Sequence, residues 1–411
     1  MARPPVDVNG RLYNWPGLPL VVICCDGSEP DYMELAMARG LMPHLQRIIA
    51  KGENLRADCV IPSFTNPNNL SIVTGALPEV HGICGNYLID PATGRETMMN
   101  DPKWLRAPTI FAKFQQAGAK VCVITAKDKL RLLLGKGLTF DGSATAFSSE
   151  KADIATLEDN GIADPRALVG LPLPPVYSAA LSEFVFAAGI KLLERNRPDL
   201  MYLSTTDYVQ HKYPPGSDGA HSFYEMMDLY LGEFDATGAI IVIVADHGMK
   251  DKHLPDGTPD VLYLQDALDR VFPQGSTHVI LPITDPYVVH HGALGSFATV
   301  YVTGLPADIV AAAIRRMPGI DAVFNKRDGC AKFGLPPDRM GDVIVLSGGT
   351  SGSKVLGSSV SKHDLSGLDA PLRSHGGLSE QIVPMIINRK ARNLPPHLRN
   401  FDAFMIGCNH V

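Results

Sequence analysis

The chain has 411 residues, of which 45% are hydrophobic and 19% are charged, and its formal net charge is −6 at pH 7. A chain of this length usually exceeds a single hydrophobic core, so two domains are expected. The acidic balance provides no basic surface for nucleic acid or for a membrane, and no apolar run is long enough to cross a bilayer. The composition predicts an ordinary globular protein.

The seven cysteines predict a reducing environment. Their number is odd, there is no CxxC pair, and Cys24, Cys25 and Cys122 lie inside apolar runs. Such cysteines are typical of core thiols in a cytosolic protein. The first residues also lack the apolar segment of a signal peptide. We therefore expect a cytoplasmic protein without disulfides.

Several apolar runs without a polar face predict strands buried on both sides, as in a parallel sheet. The predicted strands are Leu18–Cys25, Leu55–Pro62, Lys120–Thr125, Leu200–Ser204, Ile240–Ala245 and Ile382–Ile387. Helical spacing predicts two short helices within 29–50 and further helices over Pro108–Ala117, Ser178–Arg195 and Phe223–Phe234. Residues 138–174, rich in Gly, Ala and Pro, are predicted to be an irregular excursion. This alternation of strands and helices predicts an α/β fold.

A short helix is predicted directly after the second strand. Thr65 or Asn66 fits its N-cap, Pro67 its first turn and Gly75 its end. Two interpretations of Thr65 are open, because a threonine here is either a plain cap or a nucleophile. A helix N-terminus offers free N–H groups and a positive dipole end to an anion such as phosphate.

The sequence changes character after Met249. Short predicted strands (Val279–Ile283, Ser296–Val302, Ala322–Asn325, Cys330–Phe333 and Val343–Leu346) surround one predicted helix, Pro306–Met317. We expect residues 251–370 to form an inserted α+β cap domain, and residues 1–250 and 371–411 to form the metal-binding catalytic core. The doublet His290-His291 lies in the insert and is interpreted as structural or as part of its rim.

Polar side chains with metal-binding atoms follow the predicted strands or lie in loops. They are Asp26, Thr65, Asp207, His211, Asp246, His247 and His375. Ligands bind beyond the carboxyl ends of strands in open α/β sheets, so these side chains can converge on one edge. Asp and His ligands with an alcohol between them suit two divalent metals. Without cysteine, such ligands favour Zn²⁺, with Mn²⁺ or Fe²⁺ possible.

This ordered set resembles the alkaline phosphatase superfamily, in the branch that contains nucleotide pyrophosphatase/phosphodiesterases and phosphonoacetate hydrolases. The resemblance covers nearly the whole chain and implies a mostly parallel sheet sandwiched by helices, with a smaller inserted cap. It implies one metal on Asp26, Thr65, Asp246 and His247, and a second on Asp207, His211 and His375.

The resemblance also implies roles for two residues at the substrate. Thr65 would be the catalytic nucleophile and would form a phospho-enzyme intermediate. Asn86, in the stretch His-Gly-Ile-Cys-Gly-Asn, matches the position that binds a phosphoryl oxygen in this branch.

Within the branch, the phosphonoacetate hydrolases are the members that the sequence resembles more closely, through Leu-Val-Val-Ile-Cys-Cys-Asp-Gly-Ser-Glu-Pro and Thr-Ala-Lys-Asp-Lys-Leu. This likeness implies a small phosphonate as substrate and cleavage of its carbon–phosphorus bond. Lys127 and Lys129 would then bind the substrate carboxylate, because the carbanion that leaves must delocalise into that group. Alternatively, the two lysines form a solvated strand end.

Other functions remain open at this stage. A phosphodiesterase or nucleotide pyrophosphatase on the same scaffold would need an aromatic slot for a base, for which Tyr87, Tyr208 and Tyr213 are candidates. A non-catalytic, metal-stabilised binding module is the alternative from another class. A homodimer is possible, and neither nucleic acid nor a membrane is an expected partner.

Overall fold

The computed structural model describes residues 3–285, 292–348 and 354–411. The strands of the first part are β1 (Val6–Val8), β2 (Arg11–Tyr13), β3 (Leu20–Cys24), β4 (Glu53–Asp58), β5 (Tyr87–Ile89), β6 (Glu96–Met98), β7 (Val121–Thr125), β8 (Ala144–Ser148), β9 (Leu200–Ser204) and β10 (Ile240–Val244). They are followed by β11 (Lys250–Asp251), β12 (Val261–Tyr263), β13 (Thr277–Ile280), β14 (Phe297–Val302), β15 (Ile320–Asn325), β16 (Val343–Ser347), β17 (Val355–Gly357), β18 (Arg373–Ser374) and β19 (Ile382–Ile387).

The helices alternate with these strands along the chain. They are α1 (Pro30–Ala38), α2 (Pro43–Lys51), α3 (Thr65–Thr74), α4 (Pro78–His81), α5 (Ile110–Gln116), α6 (Asp128–Leu134), α7 (Leu157–Asn160), α8 (Pro165–Val169), α9 (Ala180–Asn196), α10 (Tyr208–Lys212), α11 (Asp218–Ala236), α12 (Leu264–Asp269), α13 (Ala307–Ile314), α14 (Lys326–Phe333) and α15 (Ala403–Asn409). Short 3-10 turns lie at Pro102–Trp104, Pro337–Arg339, Val360–Lys362, Leu378–Glu380 and Asn400–Asp402. No helix of the described residues has the length and apolar character that a membrane span requires.

The centre of the fold is a seven-stranded sheet in the order β4-β19-β10-β3-β9-β7-β8. The strands from β10 to β8 are parallel, and β19 runs antiparallel to both of its neighbours, β10 and β4. Every residue of β3, β7, β8, β9 and β10 is buried. Helices α2, α9 and α11 cover one face, and α3, α5 and α15 cover the other. The predicted mostly parallel α/β sheet is confirmed.

Two local predictions are wrong. Residues 138–174 are not merely an excursion, because β8 within them pairs with β7 as the edge of the main sheet. Apart from Phe147, its residues are Ala, Thr and Ser, so they lack the apolar run of an inner strand. The predicted strand Cys330–Phe333 belongs instead to α14, which is bounded by an Asn325 side chain that accepts from Asp328 N and by Gly334 in the left-handed region at φ 61°.

A second sheet forms from the later part of the chain. It has four antiparallel strands in the order β13-β14-β16-β15, packed with α13 and α14. The two-stranded ladder of β11 and β18 pairs Lys250 with Ser374, so the chain leaves and re-enters the main body at neighbouring positions. His290 and His291 lie outside the described residues.

A buried ion pair lies beside this junction. Lys252 Nζ donates to Glu380 Oε1 at 2.9 Å, and neither side chain is exposed to solvent. The other oxygen, Glu380 Oε2, accepts from the backbone N–H of Gly377 at 2.9 Å, and the carbonyl oxygen of Glu380 accepts from Gly248 N at 2.8 Å. Two charges removed from water are tolerable only when both are paired and hydrogen-bonded. The pair therefore ties the first residues after β11 to the loops beside His247 and His375.

Removing one partner of this pair is expected to cost much of the stability of the fold. Lys252→Met leaves Glu380 buried without its counter-charge and should lower the free energy of unfolding by about 3–5 kcal/mol. Urea denaturation measures the change. The matched control is Arg327→Gln, which removes an ion pair whose side chains are 88% and 51% exposed, and should cost less than about 1 kcal/mol. Equal effects of the two substitutions would contradict the prediction.

Candidate active site

The carboxyl ends of three adjacent parallel strands deliver carboxylates to one edge of the sheet. Asp246 follows β10, Asp26 follows β3 and Asp207 follows β9. His375 precedes β19, and it reaches the same edge because that strand runs in the opposite direction. Burial of the strands thus fixes the backbone positions from which these side chains converge.

The first cluster contains Asp26, Asp246 and His247, all buried, with ligand atoms within 4.8 Å of one another. His247 Nε2 lies 3.3 Å from Asp26 Oδ1 and 3.7 Å from Asp246 Oδ2. The same nitrogen lies 3.2 Å from Thr65 Oγ1, and Thr65 is partly exposed. The structure therefore brings together the four residues that the resemblance assigns to one metal.

Thr65 is the first residue of α3 and is not its cap. The capping position is Phe64, whose side chain makes no capping hydrogen bond. The interpretation of Thr65 as a plain helix cap is therefore wrong, because its hydroxyl faces His247 instead. The hydroxyl group lies at a helix N-terminus, where free backbone N–H groups and the helix dipole favour an anion.

The second cluster contains Asp207, His211 and His375. Asp207 Oδ2 lies 3.0 Å from His211 Nε2 and 3.9 Å from His375 Nε2. The ring of His375 stacks on that of His247, with centroids 3.7 Å apart and planes inclined by 6°. The two clusters are therefore immediate neighbours, as the predicted two-metal arrangement requires.

A tight turn brings the two clusters close. Gly27 has φ +69°, and a Cβ atom at this position would lie 3.0 Å from the Cβ of Asp207 and 3.2 Å from that of Gln210. Both the backbone conformation and the close approach favour glycine directly after Asp26.

All three cluster histidines have the same orientation, with Nδ1 facing a backbone carbonyl oxygen. The pairs are His211 with Arg373, His247 with Gly248 and His375 with Ser63, at 2.8, 2.9 and 2.8 Å. In a neutral imidazole, donation from Nδ1 leaves the lone pair on Nε2. Each Nε2 points into the clusters, which is the tautomer and orientation that a histidine ligand of a metal needs.

The surroundings of the two clusters disfavour the charged forms of several of their side chains. Burial raises the pKa of Asp26 well above its ordinary value, and the neighbouring Asp207 and Asp246 raise it further. Burial also raises the pKa of Asp246, and burial together with His247 and His211 lowers the pKa of His375 far below its usual range. Each of these shifts disfavours the charged form of the side chain concerned.

A divalent metal fits this site. Asp26 Oδ1 is buried and has no hydrogen-bond partner among the described residues. Carboxylate oxygens and imidazole nitrogens are suitable ligands for zinc, and the positive charge of an ion would offset the crowding of the carboxylates. The set of ligand atoms and the buried Asp26 Oδ1 without a hydrogen-bond partner both indicate cation binding.

Asn69 supports the first cluster and was missed by the sequence analysis. Its Nδ2 donates to Asp246 Oδ2 and to the Thr65 carbonyl oxygen, both at 3.0 Å. Its Oδ1 accepts from Tyr202 OH at 2.7 Å and from Ser204 Oγ at 3.1 Å. The signal was its position four residues after Thr65, which puts both on one face of α3.

A cavity of about 440 Å³ opens beside the clusters and contains the predicted substrate-binding residues. Its lining includes Thr65 and Asp207 from the clusters, together with Asn86, Lys127 and Lys129. The structure therefore brings all three predicted substrate ligands to the same space as the candidate nucleophile.

The two lysines differ in their surroundings. Lys127 Nζ donates to the Val176 carbonyl oxygen at 2.9 Å and lies 5.2 Å from the centroid of the Tyr177 ring, and burial lowers its pKa. Lys129 Nζ forms an ion pair with Asp285, at 3.0 and 2.8 Å from the two carboxylate oxygens. Tyr177 and Asp285 were not predicted, because no local pattern marks either residue.

The aromatic residues of this lining are Phe64 and Tyr177 within the part of the chain that the structure describes. The three tyrosines proposed from the sequence for a base-binding slot, Tyr87, Tyr208 and Tyr213, are absent from the described lining. One of the two aromatic residues that do line the cavity, Tyr177, has the Lys127 ammonium close to its ring.

Comparison with known proteins gives matches over nearly the full length of the chain. The model of the type I phosphodiesterase / nucleotide pyrophosphatase family matches residues 20–348. A crystal structure of phosphonoacetate hydrolase from Sinorhizobium meliloti, in complex with phosphonoacetate, is 59% identical in sequence, with a TM-score of 0.96, and the match covers 99% of each chain. The murine ectonucleotide pyrophosphatase / phosphodiesterase 5 structure is 19% identical, with a TM-score of 0.64 over 95% of this chain and 94% of the other, and shows the fold alone.

The curated relatives are more distant and longer. A pyrophosphatase/phosphodiesterase of Schizosaccharomyces pombe, described as uncharacterized, is 26% identical over 243 residues, which are 56% of this chain and 44% of the relative. The chain spans less than half the length of the first curated relatives that it matches.

The carboxylate clusters predict that divalent cations stabilise the folded chain. A cation that binds only the folded state, at about 1,000 times its Kd, adds about 4 kcal/mol per site. We therefore expect metal-stripped protein to unfold several degrees lower than the same protein with Zn²⁺ restored, as measured by calorimetry. Asp246→Asn should reduce this difference, and an unfolding temperature that does not respond to Zn²⁺ would contradict the prediction.

Proposed function

The chain belongs to the type I phosphodiesterase / nucleotide pyrophosphatase family, and from this membership and the full-length match we infer that it hydrolyses the carbon–phosphorus bond of phosphonoacetate to acetate and phosphate. It is a hydrolase with an alkaline-phosphatase-like fold. The observation that carries the substrate assignment is the shared cavity, in which the candidate nucleophile Thr65 faces the same space as the cationic side chains of Lys127 and Lys129. A substrate with a phosphonyl group at one end and a carboxylate at the other suits this space.

The proposed reaction proceeds in two displacements at phosphorus. The Thr65 hydroxyl loses its proton to solvent, and its oxygen forms a bond to phosphorus while the carbon–phosphorus bond breaks. The released electron pair moves to the methylene carbon and delocalises into the carboxylate, and a proton from water completes acetate. A second water then attacks phosphorus, which releases phosphate and restores the Thr65 hydroxyl. Bound divalent metals supply Lewis-acid stabilisation of the phosphonyl oxygens and favour the ionised hydroxyl.

The side chains around the cavity have distinct proposed roles in this reaction. Asn86 would donate a hydrogen bond to a phosphonyl oxygen, and its side-chain N–H already lies at the cavity wall, 3.3 Å from the Ile283 carbonyl oxygen. Lys127 and Lys129 would bind the carboxylate and stabilise the enediolate charge that develops on it. A carbanion is a poor leaving group, so this stabilisation is a central requirement of the chemistry.

Hydrolysis of a nucleotide phosphodiester on the same site is the alternative. A nucleotide base needs an aromatic surface, and Phe64 and Tyr177 are the aromatic residues in the described lining, the latter beside the Lys127 ammonium. Because Lys127 and Lys129 offer positive charge to a carboxylate, turnover of phosphonoacetate should exceed turnover of a nitrophenyl nucleotide ester in the zinc-loaded enzyme. Faster cleavage of the ester would overturn the proposal in favour of the alternative. A non-catalytic binding module does not fit a chain of this hydrolase family.

We propose two zinc ions per chain, one on Asp26, Thr65, Asp246 and His247, and the other on Asp207, His211 and His375. Mn²⁺ or Fe²⁺ could replace zinc in the same donor set. Elemental analysis of the active protein should give two metals per chain. His375→Ala should lose one of them and Asp246→Ala should affect the other. One metal or none in fully active protein would refute this assignment.

The division of the chain is also a proposal. We assign residues 1–250 and 371–411 to the catalytic core and 251–370 to the inserted cap, and the ladder between β11 and β18 at the two ends of the insert supports these boundaries. The seven cysteines, all described, are buried and free of disulfides, in keeping with the proposed cytoplasmic location. A homodimer remains a prediction, and the proposed partner is a small phosphonate rather than nucleic acid or a membrane.

Thr65 is expected to be essential for turnover. Thr65→Ala removes the nucleophilic oxygen and should lower kcat by a factor of about 10³ or more, because covalent catalysis is lost. Thr65→Ser should retain measurable activity. Steady-state kinetics and metal content are measured together, so that a loss of metal is not mistaken for a loss of the nucleophile. A Thr65→Ala enzyme with near wild-type kcat would indicate that water attacks phosphorus directly.

The two lysines should affect carboxylate-bearing substrates selectively. A charge-assisted contact contributes about 1.5–3 kcal/mol, so Lys127→Met or Lys129→Met should lower kcat/KM for phosphonoacetate by one to two powers of ten. Hydrolysis of an aryl phosphate ester, which has no carboxylate, should change little. Lys191→Met, at an exposed position of α9, is the control. Equal losses on both substrates would mean that the lysines shape the metal site.

A further inference from the structure

The second sheet reaches the cavity through the segment that follows β13. The Pro282 carbonyl oxygen accepts from the backbone N–H of Asn86 at 2.7 Å, and the Ile283 carbonyl oxygen accepts from Asn86 Nδ2 at 3.3 Å. Ile283 and Asp285 of this segment also line the cavity. One wall of the substrate space is therefore built by the proposed insert rather than by the sheet that carries the metal-binding clusters.

Asp285 connects this wall to Lys129 by charge. Both Asp285 oxygens contact the Lys129 ammonium, at 3.0 and 2.8 Å, and the Asp285 side chain is 11% exposed, against 39% for Lys129. Lys129 belongs to α6 in the main body of the chain, so the ion pair connects the two structural units through residues that are 156 positions apart in sequence. A carboxylate that is nearly buried interacts more strongly with its partner than an exposed one does, because less water screens the pair.

The ion pair restricts where the ammonium can be. A lysine side chain has four flexible carbon–carbon links and loses considerable rotamer entropy when it is held in one place. If that entropy is already lost before the substrate arrives, binding a carboxylate costs less. Lys127 has different contacts, since its ammonium donates to the uncharged Val176 carbonyl oxygen. The contact with Asp285 thus gives Lys129 a charged anchor from the other structural unit.

We propose that Asp285 is a positioning residue that holds Lys129 for the substrate carboxylate, and that through this contact the insert determines selectivity for carboxylate-bearing phosphonates. The inference rests on the proposed function, because it assumes that Lys129 binds a carboxylate. It adds a residue that does not touch the reacting atoms and whose effect passes through Lys129. Its removal therefore changes affinity for one class of ligand and leaves the metal clusters unaltered.

The test measures binding without turnover. In the metal-loaded Thr65→Ala protein, calorimetry gives the Kd of phosphonoacetate and of methylphosphonate, which lacks the carboxylate. Adding Asp285→Asn should weaken phosphonoacetate binding about tenfold and change methylphosphonate binding by less than about twofold, the difference between an ordered and a freely rotating ammonium. In a Lys129→Gln background, the same substitution should have no further effect on the phosphonoacetate Kd.

A matched control comes from another carboxylate of the insert. Asp369 pairs with Lys212 of α10 and is absent from the described cavity lining. Asp369→Asn should leave both dissociation constants unchanged. Metal content and thermal unfolding are recorded for every variant, so that a general structural effect is recognised.

Four results would overturn the inference: tighter or unchanged phosphonoacetate binding in Asp285→Asn, an equal loss for methylphosphonate, the same loss in the Lys129→Gln background, or a parent protein that does not prefer phosphonoacetate to methylphosphonate. Tighter binding would mean that Asp285 competes with the substrate for Lys129. The proposed function is judged separately, by release of acetate and phosphate in the wild-type enzyme, so its failure is distinguishable from failure of the inference.

Discussion

The mutual repulsion of three crowded carboxylates, two of them buried and the third partly buried, is the constraint on which the site depends. Three neighbouring strands, β10, β3 and β9, bring Asp246, Asp26 and Asp207 close together. These strands are apolar and fully buried, which fixes their positions in the centre of the sheet. The free energy that holds them there comes from burial of those strands, which is far larger than the cost of one crowded site. The fold thus favours the binding of cations at one edge of the sheet. Backbone carbonyl oxygens hold the three imidazoles in the tautomer that leaves Nε2 available as a ligand atom for the same cations.

The main body of the chain and the proposed insert contribute different parts of the site. The main body of the chain supplies the cluster residues and Thr65, which follow strand ends or lie on the short helices α3 and α10. The substrate wall is shared, because Asn86 and Lys129 are both contacted by residues 282–285. In such an arrangement the reactive centre and the selectivity of the cavity can change independently, since the contacts that determine them are on different elements.

The sequence was informative where a local pattern has one physical cause. Apolar runs that end in Asp or His revealed β3, β9 and β10 together with the side chains after them, and the order of those side chains indicated the clusters. The edge strand β8 was not predicted because, apart from Phe147, its residues are small or polar and form no apolar run. Asp285 could not be found in this way, since its contact with Lys129 depends on how two distant units pack. Asn69 lay within reach, because its spacing from Thr65 places it on the same helix face.

The position of β19 has a consequence for how the chain acquires its structure. This strand lies between β10 and β4 and comes from residues 382–387, whereas its neighbour β4 comes from residues 53–58. On the ribosome, the hydrogen-bonding edge of β10 therefore stays open until residues 382–387 have been synthesised. Pairings across such separations are slow, and an open strand edge attracts other chains. The nascent chain is consequently prone to aggregation until β19 has emerged and paired with β10 and β4.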